Sequence, residues 1–234
     1  MTEEYVKTVI STGNREIDDK MGGGIPLGSL TLIEGDSHSG KSVLSQQMSW
    51  GSLIDGFQLA FFTTENTVKS LVKQMQSLNI DIMDYLLLGK LRIYPMELAT
   101  AKGNTLGELL DAITQERERG RGMVFIDALT PCITASQHEA VLTFFERSKR
   151  LCSEGMTILF VVHSHAISHD FLVRITSLCD AHLRMRTEEV GNKLVKTMEV
   201  AKVRGASKNT GNIVSFEIEP GLGMRIIPIN KAQG

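Results

Sequence analysis

Gly35, Gly40, Lys41 and Ser42 stand at the spacing G-x4-G-K-S in the stretch GDSHSGKS. Glycines placed this way let backbone N–H groups turn inward around an anion. The lysine ammonium meets terminal phosphates, and the hydroxyl ligates magnesium. Asp36, Ser37, His38 and Ser39 complete the loop. With Gly near 7% of residues, the pattern arises by chance in roughly 1% of chains this long. The apolar run SLTLIE precedes the loop and VLSQQMSWGSLI follows it, so strand, loop and helix come in the order a phosphate cradle needs. The helix dipole adds positive potential at the loop.

A magnesium site also needs an acid. MVFIDAL places Asp127 at the end of an apolar strand, where its carboxylate can hold Mg2+ together with Ser42, directly or through water. The alternative for such an aspartate is a helix cap or turn former. Glu65 ends AFFTTE, and ligands of open parallel sheets lie beyond the carboxyl ends of the strands. Glu65 is therefore expected near the terminal phosphate, able to orient or deprotonate a water. Helix capping by Glu65, Asn66 and Thr67 is the competing assignment. VVHSHAISH puts His163, Ser164, His165 and His169 at or beyond another strand end on the same edge. His163 or Ser164 then qualifies as a polar sensor of the terminal phosphate. A metal site of His163, His165 and His169 has no acidic companion in the cluster, and ordinary hydrogen bonding is the third assignment.

The elements that must position these groups follow from hydrophobic pattern. Strands are expected at SLTLIEGD, QLAFFTTE, LRIYPM, GMVFIDAL and MTILFVVH, the last two apolar enough for central parallel strands. Helices are expected over 41–55, 67–78, 105–120 with Gly120 as its stop, and 136–154. After Cys179 the pattern alternates residue by residue, which predicts antiparallel hairpins turning at Gly191-Asn192 and at 220–223. The sum is an α/β chain: a mostly parallel central sheet flanked by helices, with antiparallel strands at the carboxy-terminal end.

Composition bounds the rest. At 234 residues, 42% of them apolar, the chain supports one good core and is expected to form a single domain over 1–234. A net charge of -2 gives no global attraction for nucleic acid, and TAKGNT and RERGRG are thin basic stretches. Three cysteines without C-x-x-C spacing predict reduced, buried thiols. No run is long enough to span a membrane, and MTEEYVKTVIS lacks the apolar core of a signal peptide, so a cytoplasmic location is expected.

Four segments carry a family likeness: STGNREIDDKMGGGIPLGSLTLIEGDSHSGKS, AFFTTEN, VFIDAL and EVAKVRGASKNTG. Together they resemble the KaiC-like branch of the RecA-type ATPases, from about Thr12 to Ile229. The resemblance implies a RecA-like P-loop NTPase fold, with ATP and Mg2+ held between neighbours in a ring, usually a hexamer. It also implies that Lys202 and Arg204, followed by Gly205, reach the neighbour's terminal phosphate and stabilise charge there. Within that branch the likeness is strongest to the accessory ATP-binding proteins of the archaeal flagellum (archaellum). That implies two partners, the motor ATPase FlaI and the membrane-proximal scaffold, with the chain peripheral to the membrane-embedded motor. Active members commonly have two adjacent glutamates where this chain has Glu65 and Asn66. A neutral amide cannot accept a proton from water, so slow turnover and a switch role are expected. The competing expectations are an active KaiC-like ATPase or kinase and, with less support, a RecA-type DNA-binding ATPase.

Overall fold

A computed structural model describes residues 7–96, 105–190, 193–208 and 210–227. Val9–Ile10 (β1) and Ile25–Pro26 (β2) form a small antiparallel ribbon beside the helix Arg15–Lys20 (α1). The main sheet starts with Leu30–Gly35 (β3), which leads into Lys41–Ile54 (α2). Leu59–Thr63 (β4), Val68–Ser77 (α3), Met83–Leu87 (α4), Leu91–Pro95 (β5) and Thr105–Glu118 (α5) follow. Next come Met123–Asp127 (β6), Thr130–Thr134 (α6), His138–Ser153 (α7), Thr157–His163 (β7) and His169–Leu178 (α8). The chain closes on Ala181–Val190 (β8), Lys193–Val203 (β9), Ile213–Glu219 (β10) and Gly223–Ile226 (β11).

The nine strands lie in the order β11-β10-β9-β8-β3-β7-β6-β4-β5. From β8 to β5 every neighbouring pair is parallel, and β9, β10 and β11 add on antiparallel. Successive side chains of a strand point to opposite faces, so two cores form. Ile33, Phe61, Phe125 and Val161 pack with Leu44 and Met48 of α2 on one face. Leu32, Phe62, Ile126 and Phe160 pack beneath α5, α7 and α8 on the other. This two-sided burial explains the unbroken apolar runs of the parallel strands. Leu183, Met185, Met198, Val200, Val214 and Phe216 join the α2-side core alone, which explains the alternation of the last strands.

One local expectation changes in detail and another holds. The segment after Asp127 is not a plain connection to a helix over 136–154. It contains the one-turn α6, with Pro131 in its first turn, where a missing N–H leaves no helical bond unmade. Helix α5 stops as expected, because Gly120 takes φ 83° and its N–H bonds to Arg117 O. The Gly191-Asn192 turn and most of TAKGNT lie outside the described residues. Cys132, Cys152 and Cys179 are buried and free, and burial pushes their thiols up to about 11, about 12 and about 12 respectively.

Candidate nucleotide site

The glycine loop joins β3 to α2 at the carboxyl edge of the sheet. Gly40 caps α2 with φ 95°, a left-handed conformation that glycine adopts freely. A Cβ there would also lie 3.0 Å from Ile218 Cδ1 and 3.1 Å from Phe216 Cε2. At Gly35 a Cβ would fall 1.9 Å from the Met185 carbonyl oxygen, so strand β8 excludes any larger residue. Within the loop, Ser39 donates to Asp36 O through both its amide (3.3 Å) and its hydroxyl (2.8 Å). Lys41 Nζ donates to the same carbonyl.

Lys41 is 4% exposed, and burial lowers its pKa, against the pull of the Asp127, Glu65, Asp36 and Glu34 carboxylates. It occupies the first position of α2, whose amino end has no side-chain cap and no acidic residue in its first turn. The unpaired amides of that turn and a buried ammonium thus point to an anion as the missing partner.

Asp127 is 3% exposed at the end of β6. Ser42 Oγ donates to its Oδ1 at 3.2 Å and Ser45 Oγ to its Oδ2 at 3.3 Å. Burial, reinforced by the charge of Glu65, raises its pKa to about 6, although both serines and Lys41 oppose the rise. A hard cation would relieve that buried charge, and the hydroxyl and carboxylate oxygens are the donors Mg2+ prefers, so the residues fit the ion. Asp127 caps no helix, since the N-cap of α6 is Leu129.

Glu65 and His163 meet beyond the ends of β4 and β7, with Glu65 Oε1 3.1 Å from His163 Nε2. The amides of Glu65 and Asn66 both donate to Thr63 Oγ1. Capping of α3 belongs to Thr67 and Ser70, which form a reciprocal capping box, and Glu65 takes no part in it. Asn66 Oδ1 accepts from Ser70 Oγ at 3.1 Å, which commits the amide to the start of α3. The His163 amide donates to Thr130 Oγ1 at 2.8 Å, while its Nδ1 is buried without a hydrogen-bond partner. Asp36 receives His165 Nε2 at 2.9 Å and Ser164 Oγ at 3.4 Å. Among the described residues no three His, Cys, Asp or Glu side chains are grouped to hold a metal, which leaves the histidine triad without support.

Lys202 and Arg204 lie elsewhere. Val203 pairs with Ala181, which pairs with Thr31 near the start of β3, whereas the glycine loop follows Gly35 at its end. The two cations therefore stand at the opposite edge of the sheet from their own chain's loop. Lys202 Nζ donates to the carbonyls of Cys179 and Thr176 at the end of α8, and Arg204 Nη1 is 3.7 Å from Asp180 Oδ1.

Sequence reasoning missed Ser45, Thr130, Lys196 and the Phe216 and Ile218 pair. Ser45 was readable, because it follows Ser42 by three residues and shares its helix face. Lys196, whose Nζ donates to His38 O, has no local signal, since the contact joins residues 158 apart.

No helix among the described residues is long and apolar enough to cross a membrane. A family model described as "ATPase: KaiC" matches residues 10–231. The archaeal flagellar ATP-binding protein FlaH of Sulfolobus acidocaldarius is 33% identical over 225 residues, covering 95% of this chain and 98% of that protein. The circadian clock oscillator protein KaiC of Synechococcus elongatus is 26% identical over 83% of this chain and 40% of its own length. Among solved structures, the flagellar accessory protein FlaH from Methanocaldococcus jannaschii superposes with a TM-score of 0.83 at 25% identity, covering 94% of this chain and 99% of that one. With its glycine loop, RecA-type sheet order and these likenesses, the chain belongs to the KaiC-type ATPase family, in the branch of the archaeal flagellar ATP-binding proteins FlaH.

Proposed function

We propose that this chain, as one domain over 1–234, is an ATP-binding switch of the archaellum motor that assembles and releases partners according to nucleotide occupancy. The observation that carries the reading is Lys41, a buried ammonium at the amino end of a helix, an arrangement that becomes favourable when an anion arrives. The amides of residues 35–42 and Lys41 hold the phosphates, and Ser42 and Asp127 hold Mg2+. The ion, when bound, screens charge on the terminal phosphates. His163 senses the terminal phosphate through the Glu65 carboxylate it touches.

Hydrolysis is slow on this reading. Glu65 is the one acid of its pair of positions, and Asn66, tied to Ser70, cannot take a proton from water. Lys202 and Arg204 act in a neighbour's site, which their position on the far edge of the sheet favours over action in their own. The homo-oligomer is a ring, a hexamer by family habit. It is cytoplasmic and peripheral to the motor, with FlaI and the membrane-proximal scaffold as partners and no nucleic acid.

Size-exclusion chromatography with and without Mg-ATP, run beside a turnover assay, tests this. A larger particle with ATP and turnover far below the enzyme median of about 10 per second are expected. Turnover at that median with an unchanged particle size would favour an active ATPase or kinase, with Glu65 as base, and would defeat the switch.

A further inference from the structure

The glycine loop is held from inside by its own hydrogen bonds and from outside by the carboxy-terminal strands. His38, in the middle of the loop, has φ 63°, a left-handed conformation unusual for a residue with a side chain. Its carbonyl accepts from Lys196 Nζ at 2.5 Å. Lys196 shares the α2-facing side of β9 with Met198 and Val200, which belong to the core beneath it. It pairs across the strands with Phe216, whose ring closes on Gly40. The loop thus meets β8 at Gly35, β9 at His38 and β10 at Gly40.

We infer that Lys196 is a positioning residue for the phosphate loop. Its ammonium grips the outer side of the His38 peptide, so that the loop keeps its amides turned in toward the phosphates. Lys196 is 6 residues from Lys202 on the same strand, and β9 pairs with β8 from Thr187 opposite Lys196 to His182 opposite Lys202, with one register shift at Ala201. One strand therefore touches the chain's own phosphate loop, carries Lys202 and leads directly into Arg204, the two cations proposed to serve a neighbour. This deepens the proposed function by naming how occupancy is felt by the assembly edge, and only its assembly arm rests on that function.

Lys196→Met keeps the aliphatic stem and removes the donor. In calorimetry Mg-ATP affinity is expected to fall about tenfold, the scale of one charge-assisted hydrogen bond. Lys196→Arg restores most of that affinity, and Lys196→Gln falls between. The melting temperature of the nucleotide-free protein stays within about 2 °C of the parent in all three, as suits a change outside the core. Unchanged affinity in the Met variant overturns the proposal, and so does an Arg variant as weak as the Met variant. Affinity and melting temperature falling together in all three variants also overturns it. In the assembly arm, the ATP concentration for half-maximal assembly rises by the same factor as the dissociation constant. A parent that binds Mg-ATP without assembling defeats the proposed function, yet leaves the Lys196 comparison readable from binding alone.

Discussion

The two edges of the sheet hold lysines at opposite helix ends. At the carboxyl edge, Lys41 opens α2, where the helix dipole is positive and works against an ammonium. At the amino edge, Lys202 lies over the closing carbonyls of α8, where the dipole is negative and favours one. Lys41 donates to a single carbonyl, that of Asp36, beside the open amides of α2, whereas Lys202 donates to the carbonyls of Thr176, Ser177 and Cys179 within its own chain. For the proposed action in trans, the resting contact of Lys202, worth about 0.3–1 kcal/mol, is a small threshold that a neighbour's phosphate has to overcome.

Substitution at each edge should separate the two states. The largest effect is expected from Lys41→Met. Mg-ATP affinity should fall by about a hundredfold or more, since the charge-assisted contact and the ammonium at the head of α2 are lost together. The same change should raise the melting temperature of the nucleotide-free chain, because a buried cation is replaced by an apolar chain of similar length. The pH dependence has a matching sign. Burial holds the pKa of Lys41 below the ordinary 10.5, so the unfolded chain binds more protons as that range is approached. Its contribution to stability therefore rises with pH, and differential scanning calorimetry of the parent and the Met variant at alkaline pH should converge.

At the other edge, Lys202→Met should act in the opposite sense. At concentrations where the chain is monomeric, Mg-ATP affinity stays within about threefold of the parent, because the residue is remote from its own loop. The nucleotide-free melting temperature falls by roughly 1–4 °C with loss of the α8 contact. A Met variant at Lys202 that loses ATP affinity as completely as one at Lys41 would erase the distinction between the edges. An effect well below that of Lys41→Met is expected from Ser45→Ala, which removes one of two hydroxyl donors to Asp127. Loss of about 0.5–1.5 kcal/mol in the magnesium-dependent part of ATP binding, seen by titrating Mg2+ at fixed ATP, would sharpen the assignment of Asp127 to the ion. Equal losses with and without Mg2+ would point to plain packing.

The carboxyl edge was legible because its parts are short strings. Gly35 to Ser42, Asp127, Glu65 and His163 each sit at the end of an apolar run, and a parallel sheet gathers strand ends on one side. The carboxy-terminal strands were legible from their alternation, which one-sided burial imposes. The helix α6 was not legible, because its five residues are too few for a period to show. The capping role of Thr67 and Ser70, which frees Glu65 from that task, was one of two open assignments until the side chains were placed.

Residue order by itself determined the class of fold, the phosphate-loop pattern and the strand ends at which Asp127 and Glu65 stand, because glycine conformations, strand periodicity and a hydroxyl next to a lysine act over a few residues. The tertiary structure alone decided which edge each cation occupies, what Lys202 does at rest and which strand presses on the loop. Those depend on sheet order and register, where Lys196 and His38 meet across 158 positions of chain, and no local pattern records a contact made by folding.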